Sequence, residues 1–147
     1  MKRFEEIPHT ADWSFRAFGR DLRELFENAA FAIFSMQGSI DANAQPSAKE
    51  IAREVQVSGI DYESLLVNWL SELLYLQESN RETYQRFRVE EISPNPLETA
   101  GSPTALRAII FGQPARKIDK IIKAVTYHNL KIQKTHDGWE AVVVVDV

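Results

Sequence analysis

The stretch WSFRAFGRDLRELFENAAFAIF, residues 13–34, decides the fold because it joins a strand pattern directly to a helix pattern. Residues 13–18 alternate with the period of a strand that buries at least one face, and Gly19 ends the alternation. Asp21 then occupies a helix N-cap position, with a glutamate three residues later as in a capping box. Apolar residues follow at helical spacing as far as Gly38, which predicts a helix packed against the strand.

The same pattern recurs 40 residues later, in residues 53–74. An alternating segment, residues 54–58, again ends at a glycine, and an aspartate again precedes an amphipathic helix. The positions that carry the same residue in both copies are Gly19/Gly59, Asp21/Asp61, Leu25/Leu65 and Asn28/Asn68. Either the chain contains an internal duplication of a strand–helix unit, or two amphipathic helices with aspartate caps resemble each other by chance.

The rest of the chain predicts strands and connections. Further strand patterns lie at residues 86–91, 106–111, 130–134 and 139–145, the last two joined as a hairpin. Residues 41–52 and 93–104 carry proline and polar residues and predict connections, whereas residues 117–128 fit a helix or a strand equally well. The unbroken apolar run Ala141–Val145 predicts a strand buried on both faces. Residues 1–147 therefore predict a single α+β domain, with two amphipathic helices packed on a mainly antiparallel β-sheet.

Composition excludes several classes of protein. Seventeen Lys and Arg against 21 Asp and Glu give a net charge of −4, which provides no positive field for direct binding to DNA. The absence of cysteine excludes disulfide scaffolds, thiol nucleophiles and cysteine zinc sites. The longest apolar run, Ala29–Phe34, is far shorter than the roughly 20 residues of a membrane span, and the N-terminus lacks the pattern of a secretory signal. We expect a cytoplasmic protein that does not contact membranes.

The sequence lacks a Walker loop, GxGxxG, GxSxG and HExxH, so the evidence for chemistry rests on three polar segments. They are His9-Thr10-Ala11-Asp12, Lys123-Ala124-Val125-Thr126-Tyr127-His128 and the terminal pair Asp146-Val147. Each has a structural alternative: the first segment as a turn that bonds its own backbone, His128 as a satisfied structural histidine, and the last residues as a frayed end. Against fraying, the terminal pair directly follows the apolar run 141–145.

Taken together and in this order, the three segments resemble the archease family, the protein cofactors of RtcB-type RNA-splicing ligases. The resemblance covers essentially the whole chain, and it implies archease-like nested strand–helix–strand–strand modules. It also implies a protein that is not itself an enzyme but promotes guanylylation and multiple turnover of the ligase in tRNA splicing. The expected partner is the ligase, with cleaved tRNA exons reached only indirectly through it.

The resemblance further implies a Ca²⁺ site whose ligands are Asp12, Asp146 and Val147. Calcium, or another hard divalent cation, prefers oxygen ligands, and carboxylates plus a chain terminus supply only oxygen. Because three residues supply about three to five of the six to eight oxygens that Ca²⁺ takes, the site is expected to be completed by water or by a partner. The residues expected to contact the partner are His9, Thr10, Lys123, Thr126, Tyr127 and His128.

Two other functions fit the same residues. In a metal-dependent hydrolase, His9 and His128 would act as general acid and base beside a metal held by Asp12 and Asp146. No nucleophile or phosphate-binding loop is evident for that reading. In a chaperone or adaptor for RNA-modifying enzymes, the acidic surface would contact basic partners. Activity without a ligase favours the first alternative, and binding to several unrelated RNA enzymes favours the second.

Overall fold

The structure is a computed structural model that describes residues 2–8, 13–38, 50–93, 103–115 and 121–147. These residues contain eight strands, which are β1 (Phe4–Ile7), β2 (Trp13–Gly19), β3 (Ile51–Gly59), β4 (Glu82–Ser93), β5 (Thr104–Pro114), β6 (Ala124–Val125), β7 (Ile132–Lys134) and β8 (Trp139–Asp146). They also contain two helices, α1 (Leu22–Met36) and α2 (Tyr62–Asn80). Neither helix combines the length and the apolarity needed to cross a bilayer.

The described strands form two antiparallel sheets. In the first sheet β8 lies between β2 and the short strands β6 and β7, and β1 pairs with the outer side of β2. In the second sheet β5 lies between β3 and β4. The predicted α+β class and the antiparallel pairing are confirmed. Strands β3, β4 and β5 pair among themselves and so form a separate sheet. Sequence periodicity does not reveal this division.

The chain order makes one module an insertion within another. The inner module is β3–α2–β4–β5, a strand–helix–strand–strand unit that supplies the whole of the second sheet. The outer module begins with β2 and α1 and is completed after the insertion by β7 and β8 in the first sheet. The nested modules expected from the resemblance are therefore confirmed.

The two helices connect the sheets. Helix α1 packs on β2 of the first sheet and on β4 of the second, where Phe34 contacts the rings of Tyr84 and Phe87 at centroid distances of 5.6 Å. Helix α2 packs on β3 and β5 and also reaches β6. The indole of Trp69 on α2 donates a hydrogen bond of 3.0 Å to the carbonyl of Phe26 on α1. Buried residues of both modules form one hydrophobic cluster.

The helix starts follow the predicted caps. The carboxylates of Asp21 and Asp61 accept hydrogen bonds from the third amide of their helices, at 2.8 Å from Glu24 N and 2.7 Å from Ser64 N. Glu24 does not complete the capping box on Asp21, because its carboxylate pairs with the side chain and amide of Arg20 instead. The first helix ends just before Gly38, whose φ of 72° fits a residue without a side chain.

The two strand–helix units match in their contacts as well as in their sequences. The side-chain amide of Asn28 donates to the carbonyl of Phe18, and that of Asn68 donates to the carbonyl of Ser58, both at 2.7 Å. A Cβ at Gly19 or Gly59 would overlap the backbone of the following helix. Chance similarity between capped amphipathic helices does not account for these strand-to-helix contacts, which favour internal duplication.

Two further sequence predictions need correction, and for residues 121–128 the open choice between helix and strand is decided. Strand β3 begins at Ile51, within the predicted connection, because its pairing with β5 extends to Gly112. Residues 141–145 bury one face only, since Val142 and Val144 are half-buried on the outer side of the sheet. Residues 121–128 contain the short strand β6 and no helix. Residues 39–49, 94–102 and 116–120 lie outside the described part of the chain, and so do most of the predicted connections.

A buried ion pair fixes the corner where α2 leads into β4. The carboxylate of Glu82, with a side chain 7% exposed, accepts two hydrogen bonds from Arg53 of β3, at 2.7 and 2.9 Å. The hydroxyl of Tyr84 donates a third, at 2.7 Å. The Arg53 guanidinium holds the pKa of Glu82 below its ordinary value, against the opposing effect of burial. The pair therefore stabilises the folded state while Glu82 is ionised.

Replacing Glu82 by Gln is expected to lower the free energy of unfolding at pH 7 by about 2 to 3 kcal/mol, the scale of hydrogen bonds to a buried charge. Because the folded-state pKa is depressed, the stabilisation is present above the unfolded-state pKa and is lost as pH falls through the folded value. Urea unfolding of both proteins from pH 7 to pH 3 should show their difference shrinking. Glu5→Gln, which alters exposed ion pairs, is the control. A difference independent of pH would contradict the prediction.

Candidate functional site

Strand β2, near the start of the described chain, pairs with strand β8, at its end. Strands β2 and β8 are antiparallel partners over seven residue pairs, beginning with Trp13 opposite Val145. Trp13 is the covalent neighbour of Asp12, and Val145 is that of Asp146. His9, Thr10 and Asp12 themselves lie outside the described residues. The pairing thus joins the residue that follows Asp12 in sequence to the residue that precedes Asp146.

The main chain holds Asp146 in place. It is the last residue of β8, it pairs with Ala124, and its carbonyl accepts a hydrogen bond of 2.7 Å from the amide of Lys123. Its side chain is exposed, as is Val147, at 46%. The hydrogen-bonded backbone of Asp146 therefore contradicts the alternative in which the last two residues both fray. This arrangement fixes the backbone beneath a carboxylate that remains accessible to solvent.

The segment from Lys123 to His128 lies along the same end of β8. The amide and hydroxyl of Thr126 both donate to the carbonyl of Val144, at 3.0 and 3.1 Å, and the same hydroxyl accepts from the amide of His128 at 3.3 Å. A turn closed by Leu130 N and Tyr127 O follows. Lys123, Tyr127 and His128 are exposed. Thr126 thus fixes a backbone from which the neighbouring polar side chains project.

His128 is exposed. Its imidazole contacts the side-chain amide of Asn129 at 3.2 Å and is otherwise open to solvent. Asn129 has a φ of 52°, in the left-handed region that asparagine tolerates better than most residues. His136, to which the sequence assigns no role, lies in the β7–β8 turn at the opposite end of the hairpin.

Two side chains at helix ends bind the backbone on either side of residues 123–128. Neither was predicted from the sequence. Gln37, fully buried at the end of α1, accepts a hydrogen bond of 3.1 Å from the amide of Ile122. Glu63, in the first turn of α2, accepts one of 3.0 Å from the amide of Ile132. Gln37 is recognisable in the sequence as a polar residue directly before the glycine that follows α1. Nothing in the sequence distinguishes Glu63 from other acidic residues in the first turn of a helix.

The described residues do not by themselves form a metal centre. No three His, Asp or Glu side chains among them are grouped closely enough to hold a metal. The described part of the predicted ligand set is Asp146 and Val147, and both offer the oxygen donors that hard cations prefer. These oxygen donors suit Ca²⁺, and the geometry of the full ligand set stays a prediction.

Replacing Thr126 by Val is expected to loosen the segment that follows β6. The substitution removes the hydroxyl that bonds Val144 O and His128 N, which we expect to cost about 1 kcal/mol locally. Hydrogen exchange of the His128 amide should accelerate about fivefold, which corresponds to that free energy. Thr135→Val, which removes the hydroxyl contact to Gly138 in the distant turn, is the matched control. Equal exchange at His128 in both variants would contradict this role of Thr126.

Comparison with known proteins gives a consistent family. Residues 4–147 match the Archease protein family (MTH1598/TM1083). Protein archease of Methanosarcina acetivorans is 44% identical over 150 aligned residues, which cover 99% of this chain and 97% of that protein. The solution structure of Methanobacterium thermoautotrophicum protein 1598 has a TM-score of 0.75 and 31% identity, with 100% of both chains covered.

A second solved structure supports the fold alone. The crystal structure of a Thermotoga maritima archease, described as a possible chaperone, has a TM-score of 0.59 at 22% identity and covers 97% of this chain and 96% of its own. The match over residues 4–147 and the full-length relatives leave one conclusion about family. This chain belongs to the archease family.

Proposed function

We propose that this protein activates an RtcB-type RNA-splicing ligase. It promotes transfer of GMP from GTP to the ligase's own active-site histidine and restores turnover after each round of joining in tRNA splicing. The partner is the ligase, and tRNA exons are reached only through it. Membership of the archease family supports the proposal, and the observation that carries it is the pairing of Trp13 with Val145. That pairing sets the residue that follows Asp12 in sequence opposite the residue that precedes Asp146.

We further propose that Asp12, Asp146 and the carboxylate of Val147 hold Ca²⁺ or another hard divalent cation. Support comes from the exposed carboxylate of Asp146 on a hydrogen-bonded backbone and from the β2–β8 register. When bound, the cation supplies positive charge that offsets repulsion between the carboxylates and leaves coordination positions open to oxygens of water or the partner. The exposed side chains of Lys123, Tyr127 and His128 belong to the segment that pairs with Asp146 through Ala124, and we place the contact with the ligase on this segment together with His9, Thr10 and Thr126.

The first test measures guanylylation of the ligase from the same organism. Asp12→Asn and Asp146→Asn are each expected to reduce the stimulated rate at least about tenfold, because each removes an anionic ligand while keeping nearly the same side-chain size. Asp137→Asn is the matched control, since Asp137 is an exposed aspartate in the β7–β8 turn. That turn lies about 30 Å from Asp146 along β8. Full stimulation by both site variants would overturn the proposal.

Three further measurements separate this function from the alternatives. A chaperone or adaptor function, suggested by the description of the Thermotoga maritima protein, predicts binding to several unrelated RNA enzymes without a rise in guanylylation. A hydrolase predicts turnover of phosphoesters by this protein without any ligase. The ligase-activator function predicts that neither occurs and that RNA joining exceeds one turnover only when this protein is added.

The second test concerns the metal. Extending the chain beyond Val147 converts its carboxylate to a peptide carbonyl, so Ca²⁺ affinity should fall about tenfold or more with the loss of one of three anions. Calorimetric titration compares the chain as given with the same chain carrying two added C-terminal glycines. An equal N-terminal extension is the control. Equal Ca²⁺ affinity for all three proteins would remove Val147 from the ligand set.

A further inference from the structure

A groove lies between the last turns of α2 and the segment 121–124. Its volume is about 860 Å³, and its apolar lining includes Leu74 and Ile122. Ala115 also lines the groove, and its amide donates a hydrogen bond of 2.9 Å to the carbonyl of Arg81. Tyr75 and Ile121 flank the opening with 62% and 58% of their surfaces exposed. An apolar recess bordered by exposed large side chains is typical of a binding site.

Three features at this groove lower the stability of the fold. Gln77 is 6% exposed, yet its side-chain nitrogen has no hydrogen-bond partner within the described structure. Arg81 adopts φ 53° and ψ 54°, a left-handed conformation that costs free energy for any residue with a Cβ. Glu78 places a negative charge in the last turn of α2, where the helix dipole disfavours it. Several unfavourable choices at one place are typical of a functional site.

The charges around the groove favour an anionic group. Arg81 and Lys123 both line it and are exposed, and neither forms an ion pair with another described side chain. With Glu78, the described charged residues that line the groove sum to +2 − 1 = +1, on a protein whose net charge is −4. A carboxylate beside an apolar side chain complements this combination.

The groove favours a peptide over a nucleotide. A helix C-terminus presents carbonyl oxygens without intrahelical partners, which accept the N–H groups of a peptide and repel phosphates. Glu78 adds to that repulsion, which is weaker for a singly charged carboxylate paired with Arg81 and Lys123 than for a doubly charged phosphate, and phosphate sites are typically built on helix N-termini. Exposed tyrosine and arginine around an apolar recess are also typical of the centres of protein interfaces.

We propose that this groove docks a segment of the partner ligase in which an apolar side chain is followed by an acidic residue. The inference rests on the proposed function, because that function supplies the partner. The apolar side chain enters between Tyr75 and Ile121, and the carboxylate pairs with Arg81 and Lys123. Lys123 also donates its amide to Asp146, so the docked segment lies next to the proposed metal site.

The experiment compares two groove variants with a control of matched character. The double variant Tyr75→Ser/Ile121→Ser removes both exposed flanks, and Arg81→Gly removes a cation at a position where glycine adopts the backbone without strain. Ile60→Ser is the control, because Ile60 is 82% exposed and lies before the opposite end of α2. It is about 22 Å from Tyr75 along the helix axis.

Calorimetry measures Kd for the ligase, and guanylylation is followed as this protein is titrated to saturation. The double variant is expected to raise Kd at least about tenfold while the stimulation at saturation stays that of the original chain. Arg81→Gly is expected to raise Kd several-fold and weaken its salt dependence without lowering Tm, which a purely structural role does not predict. Ile60→Ser should leave Kd unchanged.

The outcomes separate this inference from the function on which it rests. If the original chain stimulates the ligase and the groove variants bind it equally well, the groove proposal fails and the proposed function stands. If the original chain neither binds nor stimulates the ligase, the proposed function fails. Binding of GTP by this protein that the double variant abolishes would identify a nucleotide site, and concentration-dependent dimerisation abolished by the same variant would identify a self-interface. Either result would overturn peptide docking.

Discussion

The antiparallel pairing of β2 with β8 is the constraint on which the rest of the structure depends. It joins residues near the two ends of the chain, from Trp13 opposite Val145 to Gly19 opposite Trp139, and encloses the inner module between them in sequence. The inward side chains of Phe15 and Val143 in this pair are completely buried beneath α1. A slip of one residue would turn that buried set towards solvent, and it would move Asp146 to the opposite face. The hydrophobic register therefore specifies where the proposed site lies.

The two strand–helix units that match in sequence differ at the position that corresponds to Asp146. In the inner module Arg53 pairs with Ile110 as Trp13 pairs with Val145 in the outer one, so Phe111 occupies the position that corresponds to Asp146. Phe111 is covered by the guanidinium of Arg86 at 4.1 Å, and Arg86 pairs in turn with Glu50. Strand β5 continues to Pro114 and Arg86 covers Phe111, whereas β8 ends at Asp146, whose carboxylate remains exposed. This contrast supports placing the function in the outer module.

Sequence periodicity predicted what is local. Both aspartate caps, the end of the first helix before Gly38 and the β7–β8 hairpin are confirmed because each depends on neighbouring residues. The division into two sheets and the one-sided burial of Val142 and Val144 depend on pairing between distant strands, which periodicity does not encode. For the candidate site, the family motifs identified Lys123–His128 and Asp146, and the structure brings their backbones together. The groove escaped notice because α2, Ala115 and residues 121–124 meet only in the folded chain, and the ligand set that includes Asp12 stays a prediction.

The short segment around β6 couples the groove to the strand end. Gln37 of α1 fixes Ile122, Ile122 lines the groove, and the adjacent Lys123 amide fixes the carbonyl of Asp146. Strand β6 has two residues, so most of its order comes from these contacts and from Thr126. An occupant of the groove that orders residues 121–124 also reduces the conformational entropy that Asp146 loses on binding a cation or a partner. Because such coupling is reciprocal, a ligand at Asp146 strengthens binding in the groove by the same factor. In the proposed complex, the groove and the end of β8 would then act as a single cooperative surface on either side of one segment.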